Sequence, residues 1–421
     1  MQDVHRVRFE AERRWGKHLT LRNRFYFTKL AWDSDGTLLA GTFPGPDGRT
    51  YVARTLVLLD DSQTLLGNQL ELLSSFRTGP AAHDLLVGVE LSRFKDRFVQ
   101  DVALLSPLDL LNPVEPPGGG GPPVTLPNFG LAGDSRSLVF APYLVDRVSF
   151  SKTVQAFVGG RLDRLDYEDQ PSRTNRDDTK LSPLLGLVVS PTERLSFHVS
   201  GGTSFAPPST QVVGPREPEK GRQIEVGGKL QFLGGKGFLG GSVYDLTRKD
   251  IAIPDSSGLS RQVGDQRSRG FELDFTAEAA PGLVTYATYA FTDAELRRYA
   301  EGVLTPNGFF VFDRSGNTAA FAPRHLATLW VSKHWKNGLG IAAGARALSD
   351  HFVGEDNRYR IDGYATLDAA LSYEAGRARF SLNLKNLTDT KYETRGFGGA
   401  SAIPARPFEA LARVEVTLGS R

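Results

Sequence analysis

The residues best suited to chemistry are aromatic and basic, and they gather in a few stretches. Phe205, Arg216, Lys220 and Arg222 lie in or immediately beside residues 206–221. Phe309, Phe310, Phe312 and Arg314 fall in 296–321. His351, Phe352, Arg358 and Tyr359 form a third group, and Tyr392, Arg395 and Phe397 a fourth. Rings offer stacking and apolar contact, and guanidinium or ammonium groups offer charge-assisted hydrogen bonds. That chemistry holds a ligand without breaking its bonds. Any one of these residues alone is more readily an interfacial aromatic or a solvated charge. The run Phe309-Phe310-Val311-Phe312 is apolar where a loop need not be, and a β-ribbon within the loop explains it equally well.

Bond-breaking chemistry finds no support. The seven His are scattered, and no Ser/His/Asp constellation stands out. Gly118–Gly121 is bounded by prolines and lacks the helix and Lys-Ser/Thr of a phosphate loop. Gly338, Gly340 and Gly344 lie within a strand pattern, the wrong context for dinucleotide binding. Glu355-Asp356-Asn357 could touch a cation or form a solvated loop. With no Cys, thiolate metal sites, disulfides and Cys nucleophiles are excluded. The reading is no enzyme, no cofactor and no catalytic metal. A net charge of +2 without a dense basic cluster gives no case for nucleic acid.

The elements that must position these residues are strands. Ala365, Leu367, Ala369, Leu371 and Tyr373 alternate with small or polar residues, and Ala378, Phe380, Leu382 and Leu384 repeat the pattern. After a longer connection so do Phe408, Ala410, Ala412, Val414, Val416 and Leu418. Period two predicts strands with one apolar and one polar face. No run approaches the roughly 20 apolar residues of a membrane helix.

Further strands are predicted from Val4 onward, and their connections alternate in length. Short turns fall at 15–17, 77–82, 147–151, 191–193, 233–236, 280–282, 336–338 and 374–376. Long loops are predicted at 33–50, 99–135, 166–179, 206–221, 250–261, 296–321, 351–362 and 389–407. Tight turns at one rim and long loops at the other mark an antiparallel transmembrane β-barrel. Trp15 and Trp335, beside short turns, then become interfacial aromatics or ordinary strand-end packing. The alternation stays in phase only if 51–76 is one long strand, giving about 17 strands. Bacterial single-chain barrels have even strand numbers. The expectation is therefore an incomplete all-β barrel, lacking an odd number of strands before Met1. The charged start Met1-Gln2-Asp3-Val4-His5 does not read as a signal peptide.

Several motifs in order resemble a known family. They are Thr78-Gly79-Pro80-Ala81-Ala82-His83-Asp84-Leu85-Leu86-Val87-Gly88-Val89, Ser204-Phe205-Ala206-Pro207, and Pro218-Glu219-Lys220-Gly221-Arg222-Gln223-Ile224-Glu225-Val226-Gly227. Arg267-Ser268-Arg269-Gly270-Phe271-Glu272-Leu273 and Tyr289-Ala290-Phe291-Thr292-Asp293-Ala294 follow, then Asn383-Leu384-Lys385-Asn386-Leu387-Thr388-Asp389 with Lys391-Tyr392. Together they resemble TonB-dependent siderophore receptors of the ferrichrome type, over most of the chain.

The resemblance implies a barrel of about 22 strands filled by an N-terminal plug. Residues 1–421 would be the partial barrel domain, with plug, TonB contact segment and signal peptide absent. It also implies the cell outer membrane as the location, with capture of a ferric siderophore by external loops and uptake energised by TonB in the intact protein. Outer-membrane lipid and the barrel-assembly machinery are the other implied partners. The family usually ends on an aromatic residue, whereas this sequence ends Leu418-Gly419-Ser420-Arg421. The alternatives are a passive porin-like channel and a soluble β-rich binding protein.

Overall fold

The computed structural model describes residues 1–115, 122–126, 130–171, 173–206, 218–254, 260–305, 308–397 and 401–418. The strands are β1 (Gln2–Trp15), β2 (Leu19–Pro44), β3 (Thr50–Thr78), β4 (Ala81–Asp109), β5 (Val124–Thr125), β6 (Leu131–Ser149), β7 (Val154–Asp169) and β8 (Thr174–Thr192). Then come β9 (Leu195–Ala206), β10 (Glu219–Phe232), β11 (Gly237–Pro254), β12 (Ser260–Ala280), β13 (Leu283–Arg298), β14 (Ala300–Thr305), β15 (Gly308–Asp313) and β16 (His325–His334). The last are β17 (Leu339–Leu348), β18 (His351–Phe352), β19 (Arg360–Ile361), β20 (Tyr364–Ala375), β21 (Ala378–Lys385), β22 (Glu393–Phe397), β23 (Ser401–Pro404) and β24 (Glu409–Val416).

One 18-stranded antiparallel sheet carries the fold. β5 is a two-residue strip beside Ala103 and Leu104 of β4. Setting it aside leaves 17 wall strands, each paired with the next one along the chain, as the alternation predicts. The predicted long strand 51–76 is β3, Thr50–Thr78. β1 and β24 are the two edges of the sheet, and no pairing joins them among the described residues.

Register carries the alternation around the wall. Leu329 faces Ala345, which faces Leu367; Val331, Ala343, Ala369, Leu384 and Ala410 form a parallel row. Leu329, Val331 and Leu367 are exposed, as a lipid-facing row requires. One residue along, Trp330, Gly344 and Asp368 share the opposite, lumen face. The ladders satisfy the backbone groups that lipid cannot.

Lumen-facing glycines accommodate rings. Trp330 lies over its cross-strand partner Gly344, where an added Cβ would come within 2.1 Å of the ring. Tyr26 lies over Gly67 and Tyr143 over Gly88 in the same way. These rings therefore lie against the wall.

The short turns stay short. Gly79 and Gly376 adopt φ of 59° and 60°, a left-handed conformation that glycine takes without a Cβ penalty. Beside two of the other turns, the Arg13 guanidinium sits 5.7 Å from the Trp15 ring, and the Lys333 ammonium 5.8 Å from that of Trp335. The opposite rim differs from expectation. Residues 33–50 are mostly strand, because β2 runs to Pro44 and only Gly45–Arg49 connects it to β3. The predicted loop 99–135 contracts to 110–130, and 166–179 to 170–173. A band about 25 Å tall needs roughly 9–11 tilted residues. Counted from exposed Phe76, that length on β3 reaches Leu66, so residues 50–64 stand beyond the bilayer. There the outer face meets water instead of lipid, and the alternation that marks a crossing strand fades.

Candidate ligand-capture site

The long connections at this rim fold on one another. Ile253, Ala294, Leu296, Tyr299 and Ala319 form a small buried core with Ala322 packed beside it. Burial raises the Tyr299 phenol well above its ordinary value, with the nearby carboxylates of Glu355 and Glu301 adding to the shift. Around this core the segment 314–322 is stitched to 353–359. Asn317 Nδ2 donates to the Glu355 carbonyl at 2.8 Å, and the Thr318 amide donates to Asn357 Oδ1 at 2.9 Å. Asn357 Nδ2 returns a bond to the Thr318 carbonyl at 2.8 Å. The Ala320 amide donates to Glu355 Oε2 at 3.1 Å, while burial raises that carboxyl above the usual range. Phe321 donates its amide to the Phe352 carbonyl at 2.8 Å, and buried His351 packs beside the Phe321 ring.

The predicted apolar run is a β-ribbon. β14 pairs with β15, which holds positions 309, 310 and 312. Phe310 and Phe312 are exposed, with centroids 6.5 Å apart. The Arg314 guanidinium sits 5.0 Å from the Phe312 ring, and its Nε donates to Glu301 Oε2 at 2.8 Å. Nothing of the Phe309 or Phe397 side chains lies within the described residues.

The final two loops meet. Tyr359 Oη donates to Glu393, 2.8 Å from each carboxylate oxygen. Tyr364 and Tyr392 stack with centroids 3.9 Å apart. Arg395 stands on β22, two residues from Glu393. At the base, the Asn386-Leu387-Thr388-Asp389 motif closes on itself: the Thr390 amide donates to Asn386 Oδ1 at 2.9 Å, and the Phe408 amide to Asp389 Oδ1 at 2.8 Å. These bonds fix where the last loop leaves and rejoins the wall.

Phe352, Tyr359 and Tyr392 are thus brought into one folded group of loops, with Phe310 and Phe312 on the neighbouring ribbon. Phe205 and Arg222 are not. In the β9–β10–β11 register, Arg222 pairs with Thr203 and Thr247, two residues from outward-facing Ile224. Phe205 pairs with Lys220 on that same outer face. Arg216 lies outside the described residues.

Sequence reasoning passed over the lumen wall. Glu71 accepts from Tyr143 Oη at 2.9 Å and from Arg24 at 3.3 Å. Glu90 accepts from Tyr26 Oη at 2.6 Å and from Arg161 at 2.8 Å, and Arg161 also reaches Asp163 at 2.7 Å. Inward parity on β2 to β7 was the signal that could have found it. Higher on the same wall, burial and neighbouring Asp96 push Asp61 up to about 6.

A family model described as TonB dependent receptor-like, beta-barrel, matches residues 2–387. The chain belongs to that family. TonB-dependent receptor barrels are outer-membrane transport receptors, not enzymes. Among curated relatives, the metal-pseudopaline receptor CntO of Pseudomonas aeruginosa is 27% identical over 368 residues, covering 80% of this chain and 49% of its own length. The ferrichrome outer membrane transporter/phage receptor of Escherichia coli is 27% identical over 376 residues, covering 81% and 47%. The chain spans about half the length of these relatives. Among solved structures, the siderophore receptor PiuA from Acinetobacter baumannii superposes with a TM-score of 0.82 at 21% identity, covering 99% of this chain and 64% of that one. That likeness establishes the barrel architecture.

Proposed function

We propose that this chain is the barrel domain of an outer-membrane receptor for ferric siderophores or chemically similar metal chelates. The observation that carries the reading is the one-sided rim. Tight turns close one end of a TonB-dependent receptor barrel, while the other bears loops tied together around Phe352, Tyr359 and Tyr392. Such chelates present apolar and carbonyl-rich surfaces around a buried metal, which rings and exposed cations recognise. In this reading TonB energises uptake in the intact receptor, lipid meets the outward apolar rows, and the barrel-assembly machinery inserts the wall.

Expressing the chain in a receptor-null strain and measuring retention of iron-loaded hydroxamate and catecholate chelates on outer membranes tests the reading. Saturable binding of one chelate class, weakened by Tyr392→Ala, is expected. Equal retention by membranes lacking the chain would overturn it. The charged lumen wall of Glu71, Glu90 and Arg161 favours a second reading, a passive channel. Steady single-channel conductance in a planar bilayer, unchanged by added chelate, would select it.

A further inference from the structure

Asp61 on β3 and Asp96 on β4 form a buried carboxylate pair beyond the bilayer, apart from the loops described above. Asp61 lies across from Trp32 and Phe98, and Asp96 across from Gln63 and Ser135, all on the lumen face. Asp61 is 7% exposed and Asp96 4%. Gln63 Nε2 donates to Asp61 Oδ2 at 3.0 Å, which fixes that carboxyl in place. One oxygen of each carboxylate, Oδ1 of Asp61 and Oδ1 of Asp96, is buried without a hydrogen-bond partner among the described residues. The register sets the two carboxylates on one face, diagonally across the β3–β4 ladder, with Asp61 opposite Phe98 and Asp96 opposite Gln63.

The direct cross-strand neighbours supply oxygen and ring atoms and no positive charge. Ser135 stands between Asp96 and Asp169 along one cross-strand row, with Tyr167 beside them. Lys95 and Arg97 flank Asp96 in sequence and so occupy the opposite face of β4. No basic side chain forms an ion pair with Asp61 or Asp96 among the described residues. Buried charges that persist in proteins are paired or coordinate metals, because an uncompensated one costs several kcal/mol. Two facing carboxylates without a counter-ion are therefore an incomplete arrangement.

We propose that Asp61 and Asp96 clamp a hard divalent cation, calcium or magnesium, between β3 and β4. Carboxylate and hydroxyl oxygens are the ligands such ions take, and magnesium is commonly held by one or two carboxylates while keeping several waters. Two carboxylates match that second pattern, since no group of three or more His, Cys, Asp or Glu is placed to hold a metal among the described residues. The ion would tie two 29-residue strands together where they extend past the membrane.

The test uses the full chain folded in detergent, with terbium as probe, excited through Trp32 or Tyr167. Saturable sensitised luminescence, displaced by calcium or magnesium, is expected. Asp61→Asn and Asp96→Asn keep the side-chain shape and should each weaken terbium binding at least tenfold. Asp47→Asn, at the exposed Gly45–Arg49 turn, should leave it unchanged. Chelator should lower the melting temperature of the unaltered chain but not of Asp96→Asn. No saturable signal from the unaltered chain would overturn the proposal. So would an Asp96→Asn variant that melts higher than the unaltered chain while neither responds to chelator, because the pair would then share a proton.

Discussion

Tyr359 and Glu393, 34 residues apart, are joined by a phenol hydrogen bond shared between both carboxylate oxygens at 2.8 Å. It spans two connections that leave the wall at different strands, one before β20 and one after β21. Hydrogen bonds to charged groups contribute about 1.5–3 kcal/mol when sheltered. Tyr359 is exposed, so about 1 kcal/mol is the appropriate scale here. Tyr359→Phe should raise tryptic cleavage after Arg358, Arg360 and Arg395 roughly fivefold, since 1 kcal/mol changes a local opening equilibrium by about that factor. Global melting should not move. Mass spectrometry of limited digests reads both, and identical digestion patterns would show that the bond does not hold the loops together.

Glu71 anchors the lumen wall. It is buried and accepts from Tyr143 and Arg24, with Arg22 at 3.6 Å. Glu71→Leu removes the Tyr143 acceptor and one carboxylate from Arg24, while Arg22 keeps Glu12 and Arg24 keeps Glu10, so the loss should be about 1–3 kcal/mol, the scale for hydrogen bonds to charged groups. Glu71→Gln keeps an acceptor and should cost less than half of that. Thermal unfolding in detergent ranks them, and equal melting temperatures would show that water replaces the carboxylate.

Gly344 sits beneath Trp330. An added Cβ would also come within 2.7 Å of the Leu329 carbonyl, so backbone as well as ring must move. Gly344→Ala should destabilise by about 1–3 kcal/mol, the usual cost of overpacking. Gly344→Ala with Trp330→Leu should recover part of the loss. Tryptophan fluorescence, blue- or red-shifted in the single variant, reports the displaced ring.

Glu355 makes the loop platform sensitive to pH. Burial raises its carboxyl above the ordinary glutamate value. A raised folded-state pKa stabilises the neutral form, so this contribution is complete below the ordinary glutamate pKa and lost as pH rises through the raised one. The contact between 314–322 and 353–359 should therefore protect best in mild acid. Amide exchange at Ala320 should quicken as pH rises beyond the intrinsic rate increase. Glu355→Gln should flatten that excess, and an unchanged excess in that variant would assign it to another group.

The wall was legible because lipid on one face and lumen on the other force a period of two that survives in Leu367, Leu371 and Tyr373. The strand extensions were not legible. Asp33, Ser34, Asp35 and Thr37 continue β2 with water instead of lipid on the outer face, and nothing then distinguishes a wet strand from a loop. Proximity to a loop misplaced Phe205 and Arg222. Counting two residues back from Ile224 would have set Arg222 on the outer face. Tyr359 and Glu393 could not be paired from spacing, because their contact depends on how two separate connections fold. Asp61 and Asp96 carry a parity signal that any inward-facing polar residue shares, so burial alone separates them from the rest.

The rings of Tyr26, Tyr143 and Trp330, laid over Gly67, Gly88 and Gly344, give the interior of this wall a shallow relief. Bulky knobs would lock whatever occupies the bore by shape, and freeing it would mean unpacking them one at a time. A smooth wall studded with carboxylates and guanidinium groups grips through charge, and water can substitute for such contacts as they break. An occupant held that way can turn or slide under a modest pull without the wall itself changing form.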